Sequence, residues 1–179
     1  FTHAYLKEKK KQEDIFLMSK LAYDALYPRP FLNVVKKVSQ RFSLEPARIY
    51  ALMKQESSFF LSATSPAGAS GIMQVMPYTA KDLNRRLKIK NLDLHNPNHS
   101  ILLGAKFYAD MSKMFHGDFE KIAMAYNAGP GRLLEWEKRF AGVPKVLFLE
   151  EIPFEETYYY VKKTRKYYDR YKIGFEYFF

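Results

Sequence analysis

Residues 45–56 read Glu45-Pro46-Ala47-Arg48-Ile49-Tyr50-Ala51-Leu52-Met53-Lys54-Gln55-Glu56. Nine residues after Glu56 the chain continues Ser65-Pro66-Ala67-Gly68-Ala69-Ser70-Gly71, and then Met73-Gln74-Val75-Met76-Pro77. The first block is a helix: Pro46 suits the opening turn, and Ala47, Ile49, Tyr50 and Met53 recur at helical spacing. The second block is a Ser/Gly loop. A carboxylate where a helix meets such a loop can be half desolvated, and desolvation keeps a glutamic acid protonated toward neutral pH. Met53, Phe59, Phe60, Met73, Val75 and Met76 are the apolar residues placed to crowd it. A lone glutamate at a helix end is more often solvated or capping. It is this crowd, with a loop rich in hydroxyls and backbone N–H groups, that makes Glu56 a candidate acid for cleaving a glycosidic bond.

On either side of these blocks the pattern stays helical. Phe31, Val34, Val35, Val38 and Phe42 share one face of an earlier helix. Beyond the loop, 78–88 reads as a short charged helix, 91–98 as a loop marked by Asn96-Pro97, and 100–115 as a long amphipathic helix. Asp118 can cap a helix that ends at Gly129, Pro130 opens another carrying Leu133, Trp136 and Phe140, and a last helix is predicted over 155–171. No segment alternates with period two for long. Val146-Leu147-Phe148-Leu149 is the best strand candidate, with a buried loop as the alternative. The expected class is therefore all-α, mainly helical. Residues 1–26 carry a basic run and a helical apolar pattern before Pro28 and Pro30, so they read as a helical extension ahead of a domain over 27–179, or as that domain's first helix.

A chain of 179 residues with 47% hydrophobic and 17% aromatic content can bury a core and is not disordered. It holds no apolar run of membrane-spanning length. Absence of cysteine removes disulfides, thiol nucleophiles and thiolate metal sites. His3, His95, His99 and His116 are scattered, no Gly-rich phosphate loop is present, and neither a metal nor a cofactor is expected. A net charge of +10 implies an acidic partner: nucleic acid, anionic lipid or a carboxylate-rich bacterial wall.

Three further segments carry chemistry. In 65–77, Gly68 and Gly71 permit unusual backbone geometry and close approach of a ligand, Gln74 can orient Glu56 or bind an amide, and Met76 offers a pliable wall. An ordinary capped loop explains the same residues. Ala125-Tyr126-Asn127-Ala128-Gly129-Pro130-Gly131 is a turn between helices, read either as helix-end chemistry or as a place from which Tyr126 reaches a cleft. The last segment, Ile152-Pro153-Phe154-Glu155-Glu156-Thr157, enters a helix with acidic residues suited to its N-terminus. That helix interleaves Lys162, Lys163, Arg165, Lys166, Arg170 and Lys172 with tyrosines. Tyrosines packed inward and lysines outward account for this better than nucleic-acid binding does.

Taken together, Gln55-Glu56-Ser57, residues 68–77, residues 125–131 and residues 152–157 resemble, in order and spacing, the motifs of the soluble lytic transglycosylases of bacterial peptidoglycan. The resemblance covers roughly Pro30 to Lys172. It implies a lysozyme-like helical fold of the goose type with a glycan groove, and Glu56 as sole catalytic acid and base. By the same carry-over Ser65, Gly71, Gln74, Met76, Tyr126, Asn127 and Glu156 bind substrate. It further implies peptidoglycan glycan strands as partner rather than nucleic acid, other cell-wall enzymes as possible company, and a periplasmic location reached by an export signal outside this chain. Residues 1–26 would then be the last piece of a preceding helical superstructure. One position departs: where the family commonly has Arg after the Glu-Thr pair, this chain has Tyr158, with Lys162 or Lys163 one turn on as substitutes. The competing reading is a hydrolytic muramidase using a second carboxylate, for which Asp82, Asp93 and Glu156 are the candidates. A non-catalytic wall-binding module is the more distant one.

Overall fold

The structure is a computed structural model and describes residues 20–177. Its helices are α1 (Lys20–Leu26), α2 (Leu32–Phe42), α3 (Pro46–Ser57), α4 (Pro77–Leu87), α5 (Pro97–Met114), α6 (Phe119–Ala128), α7 (Pro130–Arg139), α8 (Lys145–Phe148) and α9 (Glu155–Tyr177). Among the described residues extended pairing is limited to the isolated bridges Thr64–Ser70 and Ser70–Val75. The expected all-α class holds.

The sequence reasons for the helix starts are visible. Pro46, Pro77, Pro97 and Pro130 each occupy a first helical position, where the missing N–H costs nothing. The Asn96 side chain accepts from the N–H groups of Asn98 and His99 at 2.9 and 3.4 Å, so Asn96-Pro97 begins α5 instead of lying in a loop before it. The strand candidate at 146–149 is corrected: Pro144 offers its carbonyl to the N–H groups of Leu147 and Phe148, at 2.9 and 3.0 Å, and closes the helical turn α8. An apolar run with no partner strand takes the local hydrogen bonds instead.

Helix α3 is the centre of the core, with Ile49 to Met53 all buried. Helix α9 lies along it, α6 packs on α9, and α2, α5 and α4 build the opposite side. On α9 the buried stripe is Thr157, Tyr160, Val161, Thr164, Tyr168 and Tyr171, while Lys162, Lys163, Lys166 and Lys172 face solvent. Tyr50 and Tyr171 donate to the carbonyls of Pro30 and Pro28 at 3.0 and 3.1 Å, which pins the Pro-rich connection onto the two central helices. Tyr23 of α1 donates to the Arg170 carbonyl at 3.0 Å and fits over Gly174, where a Cβ would lie 1.9 Å from its hydroxyl. The rest of the anticipated N-terminal extension, 1–19, lies outside the described residues.

Candidate active site

Glu56 occupies the last turn of α3. The helix stops there because Ser58 and Phe59 take left-handed conformations, with φ of 48° and 72°, and turn their N–H groups back onto Lys54 and Met53. Ser57 donates to the Ile72 carbonyl at 2.9 Å and so ties the helix end to the 58–76 loop. This was not anticipated from the sequence. The loop closes on itself through paired hydrogen bonds between Ser70 and Val75, 3.1 and 3.2 Å, and one from the Gly71 N–H to the Ala63 carbonyl.

Glu56 is half-buried, and desolvation of its carboxyl raises the pKa from 4.5 to about 8. The nearby Glu156 charge pushes the same way. A hydrogen bond from Tyr160 pulls against both by stabilising the carboxylate. That bond, 2.5 Å from the Tyr160 hydroxyl to Glu56 Oε1, joins residues 104 positions apart. Tyr160 was not singled out in the sequence. A tyrosine on the buried stripe of α9 needs a partner for its hydroxyl, but only the packing of that helix shows which of Tyr158, Tyr159 and Tyr160 is buried. Burial and the Glu56 charge hold the hydroxyls of both Tyr160 and Tyr126 in their protonated form. Of the expected apolar crowd, Met53, Met73 and Val75 are buried. Phe60 is 64% exposed and turns away, its place as aromatic neighbour taken by Tyr126 and Tyr160.

The other expected site residues divide between two hollows and the loop beside them. Gln74, Met76, Tyr126 and Asn127 line one hollow of about 210 Å³, together with Phe107, Thr79 and the outward-pointing Tyr78. Gln55, Glu156 and Tyr160 line a second of about 510 Å³ with Tyr159 and Lys163. Tyr126 belongs to the first and Tyr160 to the second; the charge of Glu56 acts on both hydroxyls, and the Tyr160 hydroxyl bonds it directly, although Glu56 itself lines neither hollow. Asn127 joins the two sides, accepting from Thr157 at 2.7 Å and donating to Glu156 at 3.4 Å. Ser65 and Gly71 line neither. Ser65 accepts from the Ala69 N–H at 3.0 Å. Gly71, with φ +77°, is approached by the Leu94 carbonyl, which leaves no room for a Cβ. Gln74 spends its amide nitrogen on the carbonyls of Ala63 and Gly71, at 3.0 and 2.9 Å, and Tyr126 gives its hydroxyl proton to the Met73 carbonyl at 2.9 Å. These side chains set the shape of the loop.

The candidate second carboxylates also separate. Asp82 pairs with Arg85 and Arg86, and Asp93 accepts from the His95 N–H, whereas Glu156 is the one whose charge acts on Glu56. Lys162 is held by Tyr158 and, at 3.6 Å, by Glu150, which turns it from the hollow that Lys163 lines.

With this geometry in view, the Transglycosylase SLT domain family matches residues 33–148. The chain belongs to that family. It is 35% identical over 161 residues to the soluble lytic murein transglycosylase of Escherichia coli K12, which covers 86% of this chain and 24% of the relative. Among solved structures it resembles the 70-kDa soluble lytic transglycosylase of Escherichia coli, with TM-score 0.77 and 32% identity over 86% of this chain and 26% of that one. An inactive mutant of lytic transglycosylase Slt from Pseudomonas aeruginosa gives TM-score 0.76 and 32% identity, over 86% and 25%. This SLT-family chain thus spans about a quarter of the length of the relatives it matches. Among its described residues no helix is long and apolar enough to cross a membrane.

Proposed function

We propose that the chain is a peptidoglycan lytic transglycosylase, cleaving the β-1,4 bond from N-acetylmuramic acid to N-acetylglucosamine without water. The observation that carries this reading is the half-buried Glu56 at the end of α3, hydrogen-bonded by Tyr160 and with its pKa pushed up to about 8 by desolvation. Protonated Glu56 gives its proton to the bridging oxygen as the bond to muramyl C1 breaks, and N-acetylglucosamine leaves with a free hydroxyl. The N-acetyl group of the muramyl sugar assists the positive charge at C1. Glu56, now a carboxylate steadied by Tyr160, takes the proton of that sugar's C6 hydroxyl as its oxygen bonds to C1. The product is a 1,6-anhydromuramyl end, and the attacking group is held within the same sugar at high effective concentration. Gln74, Met76, Tyr126, Asn127 and Glu156 line the groove on either side of the bond, while Ser65 and Gly71 fix the loop that shapes it. Location in the periplasm, against the wall, follows from this substrate, and residues 1–26 read as the tail of a longer helical assembly before the domain over 27–179.

Glu156 supports a second reading, a hydrolase in which it activates water, because its charge reaches Glu56. Its exposure and its bond to Asn127 fit a substrate contact better. Digestion of purified sacculi separates the two. The expected muropeptides carry anhydro ends that resist borohydride, Glu56→Gln releases none, and Glu156→Gln still yields the same ends. Reducible ends would favour the hydrolase, and full activity in Glu56→Gln would remove both.

A further inference from the structure

The outer face of α4 carries charge that cleavage does not use. Tyr78, Lys81 and Arg85 follow at i, i+3 and i+7 on that helix and Lys88 caps its end, so the four form one stripe, and all four are exposed. Resting on the cleavage reading, we propose that this stripe is a docking site outside the groove for stem-peptide carboxylates farther along the bound strand. Its cations are available. Among the described residues Lys81 and Lys88 form no ion pair, nor does Lys90 just beyond them. Arg85 reaches Asp82, the one carboxylate on α4, at 3.5 Å in an exposed pair of little worth. Arg86 differs: it turns to Asp110 of α5 at 3.0 Å and leaves the stripe.

The stripe has a firm floor and a link to the groove. Lys81 and Arg85 border a hollow of about 490 Å³ with Pro77, Asn84, Leu92 and Leu94. Asn84 clamps the turn after α4 against the helix, accepting from the Ile89 N–H at 2.6 Å and donating to its carbonyl at 3.1 Å. Leu94 is held from behind, its carbonyl filling the space beside Gly71. Pro77 lines this hollow while Met76 and Tyr78 line the 210 Å³ one next to it, so the first turn of α4 is the wall between them. A strand that leaves the groove past Tyr78 therefore meets Lys81, Arg85 and Lys88 in turn, over about 15 Å of helix. Charge decides what docks. The hydroxyls and N-acetyl groups of the sugars are neutral, and on a peptide-bearing strand the lactyl acid is tied up as an amide. The stem carboxylates are the strand's anions, and they face a row of cations that share a single acid.

The test measures Kd on a Glu56→Gln parent, in which strands are bound and not cut. It compares that parent with Lys81→Gln/Arg85→Gln/Lys88→Gln and with the charge-preserving Lys81→Arg/Lys88→Arg. The ligands are long peptide-bearing strands, the same strands with their stem carboxyls amidated, and a muropeptide fragment short enough to fill the groove alone. Duplex DNA and phosphatidylglycerol vesicles are run beside them. The glutamine variant should bind the long acidic strand roughly five- to twentyfold more weakly and with a flatter salt dependence, as the sum of several exposed charge contacts. All three positions are exposed, so the substitutions leave the core intact. The arginine variant should bind as the parent does, and the amidated strand and short fragment should separate the proteins by less than about twofold. Equal affinity of parent and glutamine variant for the long acidic strand would overturn the proposal. So would an equal loss on the amidated strand, which would make this face a reader of sugar. A loss confined to DNA or to vesicles would overturn it in favour of that partner. Failure of the protein with Glu56 intact to cleave any strand would instead sink the transglycosylase reading, with the binding comparison still deciding the role of α4.

Discussion

Replacing Glu56 by glutamine tests the state of the carboxyl through stability, without reference to any substrate. Folding moves this group from an ordinary carboxylate pKa of 4.5 to about 8, so between those values the folded state holds a proton that the unfolded state has released. The sign follows: the stabilisation is complete below about pH 4.5 and is lost as pH rises through 8. Each pKa unit is worth about 1.4 kcal/mol, so over this span wild type should lose about 5 kcal/mol relative to a variant that cannot ionise. That is a large share of the 5–15 kcal/mol typical of a domain. Glutamine has the shape of the protonated acid and can still accept from Tyr160. The two proteins should therefore match near pH 4.5, and Glu56→Gln should be the more stable above pH 7. Urea denaturation at half-unit steps from pH 4.5 to 9 supplies the two curves, and all other titrating groups cancel in their difference. If the curves run parallel, the carboxyl is solvated and its reading as a loaded acid has lost its physical basis.

Two other variants probe what surrounds the acid. Tyr160→Phe removes the bond that favours the Glu56 carboxylate, so the alkaline limb of the pH–rate profile should move upward while kcat falls by about one to two orders of magnitude. A profile that shifts downward would contradict the bond's direction. Gly71→Ala combines a φ of +77° with a Cβ that would sit 1.8 Å from the Leu94 carbonyl oxygen. It should cost about 2–4 kcal/mol, read as a lowered urea midpoint, and an unchanged midpoint would mean the loop has room to yield.

Much of the helical frame was legible because its signals are local. Pro46 and Pro130 at first helical positions, Asp118 as a cap and the apolar stripes of α2, α3 and α9 each need only a few consecutive residues to be read. Errors arose where local signals competed. At 146–149 an apolar run was the best strand candidate, but Pro144 supplied a helical turn and no strand stands nearby among the described residues. Glu56 was legible as a candidate from its position at the end of a helix and before a Ser/Gly loop. Its hydrogen-bond partner was not, since Tyr160 is one of three consecutive tyrosines and only the packing of α9 on α3 chooses among them. The glycines misled in a similar way. Gly71 looked like an opening for ligand, whereas the missing side chain makes room for the chain's own Leu94 carbonyl.

The bond between Tyr160 and Glu56 spans 104 residues and bridges two helices that meet only when the core is complete. A ribosome releases Glu56 long before it releases Tyr160, and until α9 docks, the glutamate is an ordinary solvated carboxylate, ionised and unable to give a proton. The Glu56–Tyr160 bond therefore forms only once α9 has docked on α3. A partly made, partly unfolded or C-terminally clipped copy that lacks a docked α9 lacks the Glu56–Tyr160 bond, so on the proposed function it would not assemble its acid.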